Sequence, residues 1–360
     1  MPLQTYQQTR PWAKAIREAV RTRKMPPWFA DPCCGKFSND RSLSAAEIDT
    51  IATWADSGAA PGDQSDSPPK RAWPAEGNLA SPDLVLSMPG VFEVPAKGDV
   101  EYQRFVIPTG FDADRWVQAV EVRPGARAVV HHVVVYIREP GDTSLGDRRP
   151  FKTTRADMLA VYAPGTSTDV LPAGMARLVP KGSDLVMEIH YTPNGHAARD
   201  RTAVAVVFAK AAPQKRVLTL QMQPERLSIR PGDPNARATV WGTLPNDALL
   251  LGFFPHMHLR GKAFEYTRLL DNGTPDTLLR VSHYNFHWQL SYKLARPILL
   301  KKGTKLALNA WYDNSLNNPF NPDPNAEVQW GEQSWEEMMV GFFDVAVEPG
   351  FDRKTFFVRQ

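Results

Sequence analysis

The chain has 360 residues, of which 42% are hydrophobic and 10% aromatic, and its formal charge at pH 7 is +3. This composition can bury cores and excludes a disordered chain. The 42 basic residues are scattered among 39 acidic ones, so the sequence carries no basic face for nucleic acid and we expect no such partner. We also predict no membrane span, and the first residues, MPLQTYQQTRPW, lack the apolar core of a signal peptide.

Residues 1–58 are predicted to form a small helical segment. Trp12, Ile16 and Val20 recur at helical spacing and predict a helix over about residues 11–23, which the prolines that follow must end. Two helices are too few to enclose a core of their own. We therefore expect this segment to pack on the main body or to belong to something larger.

The second predicted helix has clearer ends. Ser44 and Glu47 form an S-x-x-E capping box at its start, and Gly58 closes it. The stretch 59–83 is rich in Pro, Gly, Ser and charge, has no periodicity, and is predicted to be a linker.

The two cysteines, Cys33 and Cys34, are adjacent. A disulfide between neighbours is strained and closes no useful loop, and the pair lacks the CxxC spacing of redox and metal sites. A vicinal soft-metal or redox site is the alternative, but we interpret the pair as two ordinary loop cysteines without a role.

From residue 84 onward the pattern is that of β-structure. Short apolar runs alternate with Pro, Gly and Asn turns, and helical periodicity is nearly absent. Roughly 265 residues of this kind suit two sandwiches. The predicted fold class is mainly β: two tandem antiparallel jelly-roll (β-sandwich) domains, over 84–212 and 213–350, after the small helical segment.

Several histidines of the β-region are candidate metal ligands. On a strand, His256 and His258 project from one face, which makes H-x-H a usual two-ligand element, although ordinary strands contain it too. The neighbours His131 and His132 point to opposite faces of a regular strand and can share an ion only if the strand twists or bulges there. His190 lies in a further predicted strand.

Met338 indicates which metal these ligands would suit. In the run EEMMVGFFDV a methionine is usually core filler, as we expect for Met339 on the opposite face. Beside two imidazoles, however, a thioether suits Cu(I), whereas zinc, iron(II) and manganese favour harder ligands. The candidates then divide into a set of three nitrogens and a set of two nitrogens and one sulfur.

These motifs carry a family resemblance. HH at 131–132, HYT at 190–192, HMH at 256–258 and EMM at 337–339 resemble, in order and spacing, the copper type II, ascorbate-dependent monooxygenases. Peptidylglycine α-hydroxylating monooxygenase and dopamine β-monooxygenase are members of that family. The resemblance runs over about residues 84–348 and implies two tandem jelly rolls that bind two copper ions.

The resemblance also implies a role for each ligand. An electron-storing copper on the first jelly roll would be held by His131, His132 and His190. The second copper, where O2 binds and a C–H bond is hydroxylated, would be held by the catalytic residues His256, His258 and Met338. Ascorbate, or an equivalent reductant, would reduce the two coppers one electron at a time and so supply the two electrons that each turnover needs.

At three positions the chain departs from the peptide-processing members. Those proteins have an Arg two residues before H-x-H, and an Asn and a Tyr two and four residues after the methionine ligand. This chain has Phe254, Val340 and Phe342 there. The clamp for an anionic substrate is missing, so we expect a small neutral, apolar or aromatic C–H donor.

The N-terminal segments RPWAKAIREAV and RKMPPWFADP resemble uncharacterised bacterial members of the family. In those bacterial proteins, the corresponding segments resemble the C-terminal half of a c-type cytochrome domain, in which the methionine at the position of Met25 is an axial haem ligand. The chain contains no CxxCH, so we expect no haem in it and suspect a truncated start. Family analogy points to a periplasmic or secreted protein and to a cytochrome as a candidate electron donor.

Other residues near the ligands have weaker signals. Glu188 and Tyr191 are candidates for orienting a ligand or joining an electron path, whereas Glu337 is expected to be exposed. The Asn-rich loop 313–324 is interpreted as a structural turn, with a lid or a calcium-type turn as alternatives. The histidines that match no family ligand are interpreted as turn or packing residues: His196, His283 and His287.

Two other functions stay open. A non-catalytic copper protein of the same fold would exchange electrons with a cytochrome, and an oxidisable substrate would not raise its O2 uptake above the background of reductant oxidation. A cupin-like mononuclear enzyme would use the H-x-H strand alone. It would bind one metal per chain and leave His131, His132 and Met338 unexplained.

Overall fold

The computed structural model describes residues 3–67, 69, 77–79, 81–142, 157–166 and 168–356. The chain divides into two compact units, Met1–Phe29 with Asn39–Ala75, and Ala30–Ser38 with Glu76–Gln360. The predicted linker 59–83 lies partly outside the described residues. None of the described helices combines the length and the apolar character needed to cross a bilayer.

The described part of the first unit is helical. Its helices are α1 Tyr6–Thr9, α2 Ala13–Arg21 and α3 Ala45–Asp56, with 3-10 turns at Arg10–Trp12 and Gln64–Asp66. The predicted helix over 11–23 therefore exists, but its α-helical part begins at Ala13. Trp12 is 47% exposed, and Ala13 and Val20 supply the buried face instead.

The predicted ends of α3 are confirmed. Ser44 Oγ accepts a hydrogen bond from the Glu47 backbone N–H at 3.3 Å, and Glu47 Oε2 accepts one from the Ser44 backbone N–H at 2.8 Å, which completes the capping box. Gly58 has a φ of +94°, a left-handed conformation that glycine adopts readily after a helix.

The helical segment was expected to include residues 30–38, but these residues belong to the second unit. Ala30 and Phe37 form isolated β-bridges with residues of that unit, and the Phe37 ring packs edge-on against Tyr292 at 5.6 Å between centroids. The expectation of two separate cysteines is also wrong, since Cys33 and Cys34 are joined by a disulfide within this segment.

The second unit is mainly β, as predicted. The strands of its first half are β1 Leu84–Ser87, β2 Phe92–Val94, β3 Gln103–Pro108, β4 Arg115–Arg123, β5 Val130–Arg138, β6 Asp157–Tyr162, β7 Asp169–Val170, β8 Met175–Val179, β9 Asp184–Tyr191, β10 Ala198–Asp200 and β11 Ala203–Phe208. The strands of its second half are β12 Lys215–Met222, β13 Ser228–Ile229, β14 Ala236–Thr243, β15 Ala248–His256, β16 Gly261–Leu269, β17 Pro275–Val281, β18 Tyr292–Leu300, β19 Lys305–Tyr312, β20 Val328–Gln329 and β21 Val340–Val347. A 3-10 turn follows at Arg353–Thr355.

One nine-stranded sheet runs through both halves, in the order β1-β11-β4-β8-β12-β21-β15-β18, with β7 beside β4. The four-stranded sheet β3-β9-β5-β6 shares a core with the first half of it, and β14-β19-β16-β17 packs on the second half. The halves join where β8 and β12 pair in parallel, through Lys215 with Met175 and Arg216 with Ala176. The predicted boundary at 212–213 lies just before this junction, and both halves belong to one compact unit.

A buried ionic cluster also joins the halves. The guanidinium of Arg177, on β8, is 3.0 Å from the Asp344 carboxylate on β21 and 3.6 Å from that of Asp169 on β7. It also donates to the Thr219 hydroxyl at 2.8 Å. Only 3% of Arg177 is exposed, whereas the Asp344 and Asp169 side chains are 32% and 25% exposed and Asp169 also pairs with Lys293 at 2.7 Å. Removal of the guanidinium therefore takes an ionic hydrogen bond mainly from Asp344.

We therefore expect Arg177→Met to lower the free energy of unfolding by about 1.5–3 kcal/mol, the usual range for a lost hydrogen bond to a charged group. The matched control is Arg199→Met, which breaks an exposed pair with Glu93 whose side chains are 72% and 70% exposed, and should change stability by at most about 1 kcal/mol. Urea unfolding of both variants measures the difference. Equal losses would show that the cluster does not stabilise the junction.

Candidate metal centre

A β-bulge brings His131, His132 and His190 together. On the paired strands β5 and β9, Val130 lies opposite Tyr191 and His132 opposite His190, so His131 is the extra residue. This bulge is the feature that two neighbouring histidines on one strand need if they are to share an ion. One ligand nitrogen from each of the three residues, the His triad, lies within 4.8 Å of the others.

The nitrogen atoms of the triad are arranged as metal ligands. Nδ1 of His131 is 3.1 Å from Nδ1 of His132, close to the spacing of about 3.3 Å between two nitrogens bound to one ion at about 2.0 Å. His190 Nδ1 is buried and has no hydrogen-bond partner among the described residues. Buried polar atoms normally have partners, so this nitrogen is available to bind a metal ion.

Tyr102 holds two rings of the triad in place. Its hydroxyl shares a hydrogen bond with Nε2 of His132 at 3.1 Å, and its ring stacks on His190 with 4.9 Å between centroids. With Nε2 of His132 occupied, Nδ1 is left to face the other imidazoles. No sequence motif points to this tyrosine, which lies just before β3.

The second candidate set lies at the end of β15. His256 Nδ1 is 2.7 Å from the side-chain oxygen of Gln289, and His258 Nδ1 is 3.3 Å from the backbone oxygen of Glu336. A carbonyl oxygen only accepts, so Nδ1 of both rings carries the proton and Nε2 keeps its lone pair. His258 Nε2 is buried and has no hydrogen-bond partner in the part of the chain that the structure describes.

The expectation that Glu337 is exposed is wrong, because its side chain is completely buried. Its Oε1 accepts the backbone N–H of Arg260 at 2.6 Å, and its Oε2 accepts those of His258 at 2.9 Å and Met338 at 3.3 Å. Burial raises the pKa of Glu337, and the three N–H donors oppose that rise because they stabilise the charged carboxylate. One carboxylate thus ties the two ligand-bearing segments together.

Met338 lies two residues before β21 rather than inside a strand, and Met339 is fully buried, as expected. The thioether-bearing side chain of Met338 lines the same pocket as His256 and His132. The structure therefore places Met338 and His256 on the wall of one pocket.

The two ligand sets are neighbours. The rings of His132 and His256 are 5.8 Å apart between centroids. Phe286 stacks on His131 at 4.6 Å and lies 6.3 Å from His258. The ligands that the sequence divided between two domains form one continuous cluster.

Burial keeps all five imidazoles neutral near pH 7. It lowers the pKa of His131 to about 3 and those of His190 and His256 to about 4. The pKa values of His132 and His258 also fall well below the usual range, for the same reason. Neutral imidazoles are the form that binds metals, so no proton must leave before an ion enters.

A pocket borders the cluster. Its lining includes Phe254, Val340 and Phe342, the three apolar residues that the sequence resemblance compares with the polar clamp of the peptide-processing members. Glu188 and Glu332 also line it. Both carboxylates share the guanidinium of Arg104, at 2.7 and 3.6 Å, an arrangement that disfavours an anionic ligand.

The remaining predicted residues differ in their distance from the ligands. The Tyr191 hydroxyl donates to Asp200 at 2.8 Å and its ring stacks on Phe92, so it belongs to the core of the first half. His196 and His283 are exposed. His287 is exposed too, but its ring lies 6.4 Å from that of His131 and 5.5 Å from that of Phe320, between centroids.

The loop 313–324 is built on Asn-to-backbone hydrogen bonds, as the structural interpretation requires. The Asn314 side chain donates to the backbone oxygens of Arg230 and Ala326, and the Asn318 side chain donates to that of Asp313.

No family model matches the chain, and no curated protein does. Among solved structures it is similar to the major capsid protein P2 of bacteriophage PM2, with 9% identity, a TM-score of 0.33, and coverage of 74% of this chain and 97% of that one. A structure of infectious bursal disease virus Gx strain gives 11% identity, a TM-score of 0.23 and coverage of 78% and 76%. A putative secreted protein from Eubacterium rectale gives 10% identity, a TM-score of 0.21 and coverage of 75% of each chain. Likenesses this weak carry no argument about function.

Proposed function

We propose that this chain is a copper-dependent monooxygenase that hydroxylates a C–H bond of a small organic substrate. The observation that carries the proposal is the cluster itself: a bulge-assembled His triad lies beside His256 and His258, whose Nδ1 atoms both face carbonyl oxygens, and Met338 and His256 line one pocket. We assign the two halves of the β unit to tandem jelly rolls, over 84–212 and 213–350, with one copper site on each.

The donor atoms suit copper in two different ways. Three imidazoles accommodate both Cu(II) and Cu(I), and the sulfur of Met338 favours Cu(I). When bound, copper supplies the one-electron and O2 chemistry that side chains lack. The balanced reaction is R–H plus O2, two electrons and two protons giving R–OH and water, and ascorbate or an equivalent reductant donates the electrons.

The chain's own residues supply position and environment. Gln289 and the Glu336 backbone oxygen hold the His256 and His258 rings with Nε2 available. Phe254, Val340 and Phe342 form an apolar wall that excludes water and suits a neutral, apolar or aromatic substrate. The Glu188 and Glu332 carboxylates oppose a carboxylate substrate, so a glycine-extended peptide does not fit.

The experiment that tests the proposal is copper analysis combined with Cu K-edge absorption of the ascorbate-reduced protein. We expect two coppers per chain, one in His258→Ala, and a Cu–S component that disappears in Met338→Ala. Met25→Ala, at an exposed methionine outside the β unit, is the matched control and should keep the Cu–S component. One metal per chain, or two without sulfur, contradicts the proposal.

A substrate screen then separates the enzyme from a non-catalytic electron-transfer protein. In the enzyme, an oxidisable substrate raises O2 uptake above the background of reductant oxidation and gives a hydroxylated product. Uptake that stays at background with every substrate, while both coppers bind, favours the electron-transfer alternative and a cytochrome partner. Cell fractionation tests the proposed periplasmic or secreted location.

A further inference from the structure

The loop between β17 and β18 contacts both ligand sets, although it contributes no predicted ligand. The Tyr284 hydroxyl donates to the backbone oxygen of Met257 at 2.9 Å and accepts that residue's N–H at 3.0 Å. Met257 is the residue between His256 and His258. This tyrosine therefore fixes the backbone of the H-x-H segment.

Gln289, on the same loop, is 1% exposed and makes two side-chain hydrogen bonds. Its Nε2 donates to the Phe286 backbone oxygen at 3.3 Å, and its Oε1 faces His256 Nδ1 at 2.7 Å. Because the Phe286 oxygen can only accept, the amide nitrogen must point toward it. The amide oxygen is then fixed on the His256 side, and the His256 proton is fixed on Nδ1.

We propose that Gln289 is a positioning residue for the second metal site, because it selects the His256 tautomer that presents Nε2 to the metal. This inference rests on the proposed function for its metal, but the tautomer is a property of the metal-free protein. The same amide anchors Phe286, whose ring stacks on His131, so Gln289 also links the second site to the His triad.

The test compares Gln289→Leu and Gln289→Glu with the wild-type protein. Long-range ¹H–¹⁵N NMR of the metal-free proteins reports which ring nitrogen of His256 is protonated. We expect the Nδ1–H tautomer in the wild type and in Gln289→Glu, since a carboxylate oxygen also accepts from Nδ1. Gln289→Leu should lose that preference and bind copper at the second site roughly 10- to 100-fold more weakly.

Gln221→Leu is the matched control, because Gln221 lines the same pocket from β12, and it should leave the tautomer and the copper affinity unchanged. Protonation of Nε2 in wild-type His256, or an unchanged tautomer in a folded Gln289→Leu, overturns the inference even if copper binds as proposed. Conversely, the expected tautomers in a protein that binds no copper sustain the role of Gln289 and reject the proposed function alone.

Discussion

Replacement of Glu337 by glutamine is expected to weaken copper binding at His256, His258 and Met338 by roughly 10- to 100-fold while the His triad keeps its metal. Both carboxylate oxygens accept backbone N–H groups, and an amide has only one oxygen. Its NH2 group must therefore face an N–H donor, at a cost of about 1–3 kcal/mol for each buried donor left without an acceptor. The two ligand segments then separate or rotate.

Competition with a copper chelator measures the two affinities, and the Cu–S component of the reduced protein reports whether Met338 still binds. The matched control is Glu336→Gln, one residue earlier, where the backbone oxygen that holds His258 is retained and the carboxylate oxygen that accepts the Gln333 N–H can be replaced by the amide oxygen. If both variants bind the second copper as the wild type does, Glu337 does not position the site.

The ligands could be predicted from sequence because they fall into short motifs. H-x-H places two imidazoles on one strand face by geometry alone, and the His131–His132 pair posed a specific condition, a bulge, that the structure meets. The apolar wall could also be predicted, because Phe254, Val340 and Phe342 are two or four residues from a ligand along the sequence, and all three line the pocket.

The supporting residues could not be predicted, because they reach the ligands through tertiary contacts. Gln289 is 33 residues from His256 and Tyr102 is 30 from His132, and neither lies in a repeating pattern. Strand alternation predicts that Glu337 is exposed, but the regular strand β21 begins only at Val340. The sequence also predicts that residues 30–38 belong to the helical segment, because their actual partners, on β17 and β18, are about 250 residues away along the chain.

A variant with both His131→Gln and His190→Gln is expected to resist acid better than the wild type when both are metal-free. Burial lowers the pKa of His131 to about 3 and of His190 to about 4, whereas both titrate near 6.5 in the unfolded chain. Below about pH 6.5 these two imidazoles therefore bind protons in the unfolded chain but not in the folded chain. Their contribution to the free energy of unfolding is complete above that pH and is lost as the pH falls, by about 1.4 kcal/mol per pH unit for each imidazole.

Removing the two imidazoles should flatten the pH dependence of the free energy of unfolding by up to about 2.7 kcal/mol per pH unit. Urea unfolding between about pH 7.5 and about pH 5 measures this slope, which is independent of any change in absolute stability caused by the substitutions. The double variant His196→Gln and His283→Gln, at exposed positions that water surrounds in both states, should keep the wild-type slope. Equal slopes in all three proteins would mean that the triad is hydrated and protonated in the folded chain, and the cluster would then lack the neutral imidazoles that metal binding at mildly acidic pH requires.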